Sequence, residues 1–398
     1  MAEESPKGLK PLNWLNFFAA DVSEGVGPFL AVYLAINLHW KPGQVGIAIA
    51  AMQFAMVFAQ SPAGLLVDNT GYKRIPIIVA SLTMGVTAFL MTLFHSFPFI
   101  VGSQIMMGLA GSFYLPTLVA LAVVIAAKGN FDHTISKNQS FNHAGNLTAA
   151  IFIGVVAKFT KNEGIFYCLM ALSILCAISA LSIPQKAITQ SVENNPEENT
   201  TKKGAFKEIF SNKAFLIFLL LTVIFYFSNG AMLPLVAQEI AKAKPETSTL
   251  YLSACIVIAQ LTMVPTVYIC GKQAGKGRKK LLVIAFILLI IRGILYSFTD
   301  KTWYLLAFEV LDGMAAGIFS VTAIMVVDDL MGNSGRASFA QGLLASGLSL
   351  GSFLSNLVAG LIVDVAGFKI GFIFLSALAL GAMLLLWKAM PETLKKDQ

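Results

Sequence analysis

Apolar runs of helix-spanning length recur along this chain, at about 12–36, 44–67, 75–94, 98–127, 139–158, 164–183, 214–238, 249–270, 280–298, 302–327, 338–363 and 368–388. About 20 helical residues cross the ~30 Å hydrocarbon layer of a bilayer, and a backbone in lipid has to satisfy its own hydrogen bonds, so each run predicts one membrane-crossing helix. The fold class expected is therefore an all-α membrane protein with twelve transmembrane helices. Composition agrees: 57% of the 398 residues are apolar and 12% charged, which leaves too little polar sequence to coat two or three soluble domains. Disorder, nucleic-acid binding and a secreted disulfide scaffold are excluded on the same ground. Cys168, Cys176, Cys255 and Cys270 fall in or at the ends of apolar runs, where they read as small hydrophobes.

An even number of spans puts both termini on one side. With that side taken as the cytoplasm, 20 of the 28 Lys and Arg residues fall on inner segments, so the positive-inside rule predicts cytoplasmic termini. The first run carries no small-residue cleavage site and is expected to be retained. The stretch Glu193 to Lys203 (ENNPEENTTKK) is too polar to fold alone and reads as a linker. Three regions follow: an N-terminal six-helix bundle at 1–183, a cytoplasmic linker at 184–213, and a C-terminal six-helix bundle with a short tail at 214–398.

The halves are related. An offset of 206 residues pairs Pro28 with Pro234 and Gly71-Tyr72-Lys73-Arg74 with Gly277-Arg278-Lys279-Lys280. Small changes of offset pair Gly108 with Gly313, and the segment 140–143 with 338–341. Two pseudo-symmetric bundles arranged as parallel repeats are expected.

The loop between spans 2 and 3 reads Gly64-Leu65-Leu66-Val67-Asp68-Asn69-Thr70-Gly71-Tyr72-Lys73-Arg74. It resembles the signature of the major facilitator superfamily at the same loop, with a degenerate second copy at 271–280. The resemblance covers essentially the whole chain. It implies alternating access, a cavity lined by spans 1, 4, 7 and 10, and a cytoplasmic gating motif made by Gly64, Asp68, Gly71, Lys73 and Arg74. Asn69 and Tyr72 stand where the family more usually has basic residues. Gln104 precedes Gly108 where many members carry an arginine, and span 5 lacks the Gly-Pro pair common in proton-coupled drug antiporters.

An ionisable side chain at membrane depth costs a few kcal/mol even on lenient scales, so such residues mark candidate sites. Asp21 and Glu24 lie mid-span in span 1, three residues apart on one expected helical face with Pro28, and Glu309 and Asp312 repeat that spacing in span 10. Gln104 and Asn229 fall on spans 4 and 7, while Asn142, His143 and Asn146 cluster on span 5. Together these nine are the candidates for proton coupling or substrate binding; the bland alternative is hydrogen bonding that fixes helix packing. Arg292 is placed by the sequence near an outer end of span 9, away from the acids. Asp328 and Asp329 are candidate partners of Lys279 and Lys280.

No phosphate-cradling Gly-x-x-x-x-Gly-Lys-Ser/Thr run, nucleophile motif or metal spacing occurs, so no enzyme activity, cofactor or bound metal is expected. The reading is a secondary transporter moving a small-molecule substrate together with protons, in the direction of efflux of an organic cation, drug or metabolite. Proton-driven import of a nutrient or metal chelate, and passive facilitation, are the alternatives. A monomer in contact with membrane lipids, in a bacterial inner membrane, completes the expectation.

Overall fold

The computed structural model describes residues 9–25, 27–69, 73–125, 131–185, 211–273, 277–331 and 337–394. Among these residues fifteen α-helices make twelve spans, with no strand. Three spans are broken mid-way. The first is α1 (Leu9–Val22) and α2 (Gly27–Ile36), the fourth α5 (Phe97–Gly111) and α6 (Tyr114–Ile125), and the seventh α9 (Lys213–Asn229) and α10 (Met232–Ala243). The other spans are α3 (Pro42–Asn69), α4 (Ile75–Met91), α7 (Phe131–Phe159), α8 (Gly164–Leu181), α11 (Ser248–Gln273), α12 (Arg278–Ser297), α13 (Thr302–Met331), α14 (Ala337–Ala366) and α15 (Phe368–Ala389).

The breaks explain three prolines that a continuous helix would tolerate poorly. Pro28, Pro116 and Pro234 each fall within the first three residues of α2, α6 and α10. There the missing N–H has no intrahelical partner to lose. A break frees backbone groups in turn, and at the seventh span the Ala231 N–H donates to Ser355 Oγ of α14 at 2.8 Å.

Large apolar side chains such as Phe58, Val79, Leu261 and Leu384 are more than half exposed, the arrangement expected where the surrounding solvent is lipid. With lipid outside, close packing and small residues rather than the hydrophobic effect hold the helices together. Contacts gather the chain into two units, Met1–Leu30 with Phe54–Thr200 and Ala31–Gln53 with Thr201–Gln398. Residues 31–53 join the second unit because Gly46 meets α14, where a Cβ on Gly46 would lie 3.1 Å from the Gly360 Cα.

Inside the first unit α1 packs on α7 and α8, and α4 on α8 and α5; inside the second, α9 packs on α14, and α12 on α15 and α13. The pairings repeat, and so does their detail. A Cβ at Gly145 of α7 would fall 2.0 Å from the Phe17 carbonyl oxygen of α1, and one at Gly351 of α14 would fall 2.3 Å from that of Val223 in α9. Both members of each pair are related by the offset of 206 read from the sequence. This register replaces the expected pairing of 140–143 with 338–341, because backbone contact at these glycines fixes how α7 and α14 sit.

Candidate functional site

In the second unit the side chains of α9, α12 and α13 converge on Arg292. This residue of α12, five positions before the helix ends at Ser297, is 1% exposed and meets the acids from which the sequence had set it apart. Its Nε donates to Tyr296 Oη at 2.9 Å. Nη1 donates to Asn229 Oδ1 at 2.9 Å and to Asp312 Oδ1, and Nη2 donates to Glu309 Oε2 at 2.9 Å. Tyr296 Oη donates in turn to Glu309 Oε1 at 2.8 Å. The spacing of three brings Glu309 and Asp312 to one face of α13, while the spacing of four brings Arg292 and Tyr296 to one face of α12. Asn229 ends α9 beside the break, where its side chain can turn towards Arg292.

Electrostatically the cluster is one guanidinium between two carboxylates. Ion pairs in a low-dielectric interior hold only if their polar atoms are also hydrogen-bonded, which four donated bonds from Arg292 and one from Tyr296 accomplish. With every acid ionised the cluster carries one unbalanced negative charge. Glu309 is sealed at 0% exposure, whereas Asp312 is 17% exposed and forms the accessible end. The acids of span 10 thus have a basic counterpart that the sequence did not assign to them.

The matching place in the first unit is neutral. Gln104 of α5 is 3% exposed, with its Nε2 3.5 Å from Met107 Sδ and 3.9 Å from Met91 Sδ of α4. An offset of 205, the one that pairs Gly108 with Gly313, carries Gln104 onto Glu309, Met91 onto Tyr296 and Met107 onto Asp312. Gln104 therefore packs in the bundle interior against weak sulfur acceptors.

The acids of the first span are arranged differently from expectation. α1 ends at Val22, Glu24 lies in the turn, and Gly25 and Gly27 take positive φ of 67° and 43° before α2 resumes. Asp21 and Glu24 consequently share no continuous helical face with Pro28. Glu24 is exposed. Asp21 is partly buried, and its Oδ2 is enclosed without a hydrogen-bond partner. It borders a cavity of about 130 Å³ walled by Phe17, Phe18, Thr148 and Phe152. On α7, Asn142, His143 and Asn146 are half-buried, and His143 Nδ1 is likewise enclosed without a partner.

At the motif between spans 2 and 3, Gly64 is half-buried in α3, whereas Gly71 and the Asp68 side chain lie outside the described residues. Lys73 Nζ donates to the Val67 carbonyl at 2.7 Å, and Arg74 Nη1 donates to the carbonyls of Leu181 and Ile183 at 3.2 and 2.9 Å, tying α4 to the end of α8. Lys279 repeats this on the Trp387 carbonyl at 2.8 Å. The expected pairing of Lys279 and Lys280 with Asp328 and Asp329 is replaced by an Arg278–Asp329 ion pair at 3.0 Å, because Lys279 is turned to that carbonyl. Among the described residues no group of three or more His, Cys, Asp or Glu side chains is placed to hold a metal ion.

The family model of the Major Facilitator Superfamily matches residues 12–276 and 256–398. An uncharacterized MFS-type transporter of Mycobacterium tuberculosis (strain ATCC 25618 / H37Rv) is 35% identical over 397 residues, covering 98% of this chain and 95% of its own. Quinolone resistance protein NorA of Staphylococcus aureus is 23% identical, covering 88% and 89%. Among solved structures, the nucleoside transporter NupG aligns with a TM-score of 0.79 at 16% identity, covering 95% of this chain and 98% of its own. The xylose transporter XylE from E. coli aligns at 0.72 with 13% identity, covering 96% of each chain. Matched along almost its entire length by family, relative and fold, this multi-pass, twelve-span chain belongs to the Major Facilitator Superfamily of transporters and is not an enzyme.

Proposed function

We propose that this transporter exports an organic cation, drug or metabolite in exchange for protons. The observation that carries the reading is the stoichiometry of the buried cluster: Arg292 balances one of the two carboxylates it touches. A residual charge of minus one at membrane depth is balanced either by a proton or by a monovalent cation. Occupancy by one disfavours the other, which is the requirement for exchange. Asp312, the exposed member, is where either would arrive. Asp21, with its enclosed and unpartnered oxygen, is the second carboxylate whose protonation relieves a buried charge. The likeness to a quinolone resistance protein supports the direction of transport, and relatives from bacteria support an inner-membrane location. Two bundles at 1–183 and 214–398, cytoplasmic termini and action as a monomer complete the proposal.

The test is transport in liposomes of the purified protein with an imposed pH gradient and a panel of organic cations, sugars, amino acids and chelates. Wild type is expected to accumulate a cation on the side from which protons leave. Asp312→Asn, which leaves a neutral cluster, is expected to lose both cation binding and the gradient-driven transport. Unchanged gradient-driven transport by both Asp312→Asn and Asp21→Asn would defeat the reading.

A further inference from the structure

The turn between α12 and α13 holds an open recess of about 370 Å³, lined by Leu295, Phe298, Thr299, Asp300, Lys301, Tyr304 and Phe308. It lies apart from the Arg292 cluster, although Phe308, whose ring centroid is 6.0 Å from that of Tyr296, forms the partition between them. Three of the seven lining side chains are aromatic, and Tyr304 stacks on Phe308 with centroids 6.3 Å apart. Phe298 and Tyr304 are 76% and 53% exposed, at the end of two spans where aromatic side chains meet the headgroup layer. Lipid headgroups therefore reach this recess directly.

Its charges are of both signs and unspent. Asp300 and Lys301 are both exposed, and neither forms an ion pair with a described residue. An acid beside aromatic faces attracts an ammonium group, through carboxylate hydrogen bonds and the ring quadrupole together. Lys301, next along the chain from Asp300, is placed for an anion an ethanolamine's length from the ammonium, and Thr299 Oγ1 already accepts from the Lys301 backbone N–H at 3.1 Å, which fixes the turn. A positive and a negative partner side by side, above an apolar wall of Leu295 and Phe308, match a molecule with ammonium, phosphate and acyl chain in that order.

We infer that the recess between α12 and α13 binds one zwitterionic phospholipid, its ammonium on Asp300 among the aromatic rings and its phosphate at Lys301. Native mass spectrometry of the intact protein in mild detergent, titrated with dihexanoyl phosphatidylethanolamine, tests it. Wild type is expected to retain one lipid, with binding weakened about tenfold in Asp300→Asn and in Tyr304→Ala. Dihexanoyl phosphatidylglycerol, which has the phosphate without the ammonium, is expected to bind at least tenfold more weakly than the ethanolamine lipid. A thermal melt of each variant separates lost binding from lost folding, and Lys301→Ala provides a second variant at an exposed position. Equal retention of the two lipids would overturn the inference, as would unchanged binding in Asp300→Asn. Binding of dodecyltrimethylammonium as tight as that of the phospholipid would also overturn it, since the recess would then be a site for any amphiphilic cation.

Discussion

Replacing Arg292 by leucine tests the electrostatics of the buried cluster most directly. The substitution removes four donated hydrogen bonds and leaves Glu309, at 0% exposure, facing Tyr296 alone. Removing one partner of a buried pair costs about 3–5 kcal/mol, because the remaining charge stays desolvated. For a unit of this size about 1 kcal/mol corresponds to ~2–4 °C, so the melting temperature should fall by roughly 10 °C. Asp312→Asn is expected to cost far less, about 1 kcal/mol, because it leaves Arg292 and Glu309 as a balanced pair and alters a side chain that is already 17% exposed. The double variant Arg292→Leu with Glu309→Met should recover more than half of the loss, since of the two stranded carboxylates it removes the fully buried one and leaves Asp312, which is 17% exposed. The assay is tryptophan fluorescence during heating of the detergent-solubilised protein, at one fixed scan rate because unfolding of such proteins is commonly irreversible. The reasoning fails if Arg292→Leu melts within 2 °C of wild type, or if adding Glu309→Met makes it worse.

Further outcomes can be checked independently. Gly145→Leu and Gly351→Leu should each prevent folding or lower the melting temperature severely, since a Cβ alone would meet a facing carbonyl; Gly342→Ala, with nothing within 4 Å of its Cβ, should be neutral or slightly stabilising in the same melts. If a cation replaces a proton on the cluster, mixing a transported cation with protein in weakly buffered solution should release about one proton per cation bound. The sign is acidification, read with a pH dye, and cation affinity should fall as the pH is lowered. Arg74→Ala, which loses the bonds to the Leu181 and Ile183 carbonyls, should lower stability by about 1–3 kcal/mol, with Arg74→Lys intermediate because both bonds come from the one nitrogen Nη1, which a shorter-reaching ammonium replaces in part.

The spans and their duplication were legible in the sequence because both are one-dimensional patterns: apolar length counts helices, and a constant offset relates the halves. The charge cluster was only half legible. Glu309 and Asp312 declare themselves by sitting at membrane depth, yet their partner lies on another span, and hydropathy does not say how far a charge near one end of a run extends into the bundle. Its spacing of four from Tyr296 was the available signal, since a cationic and a phenolic side chain on one face of a buried helix have a common partner to find. The first span misled for a local reason. Residues three apart share a face only if the helix continues, and the glycines at 25 and 27 turn the backbone to positive φ there. Gln104 is marked by its span, while the methionines that enclose it come from packing rather than pattern.

The repeated glycine crossings give this molecule its own control. Phe17 on Gly145 and Val223 on Gly351 hold the same backbone twice, so the two halves pose one geometric problem to two different sets of side chains. One copy answers with glutamine and thioethers, the other with arginine, two acids and a phenol. The contrast between the copies at this one place lies in those few groups and not in the backbone that carries them. Transplanting the ionic set into the neutral copy would show how much of a transporter's chemistry can be moved without redesigning its frame.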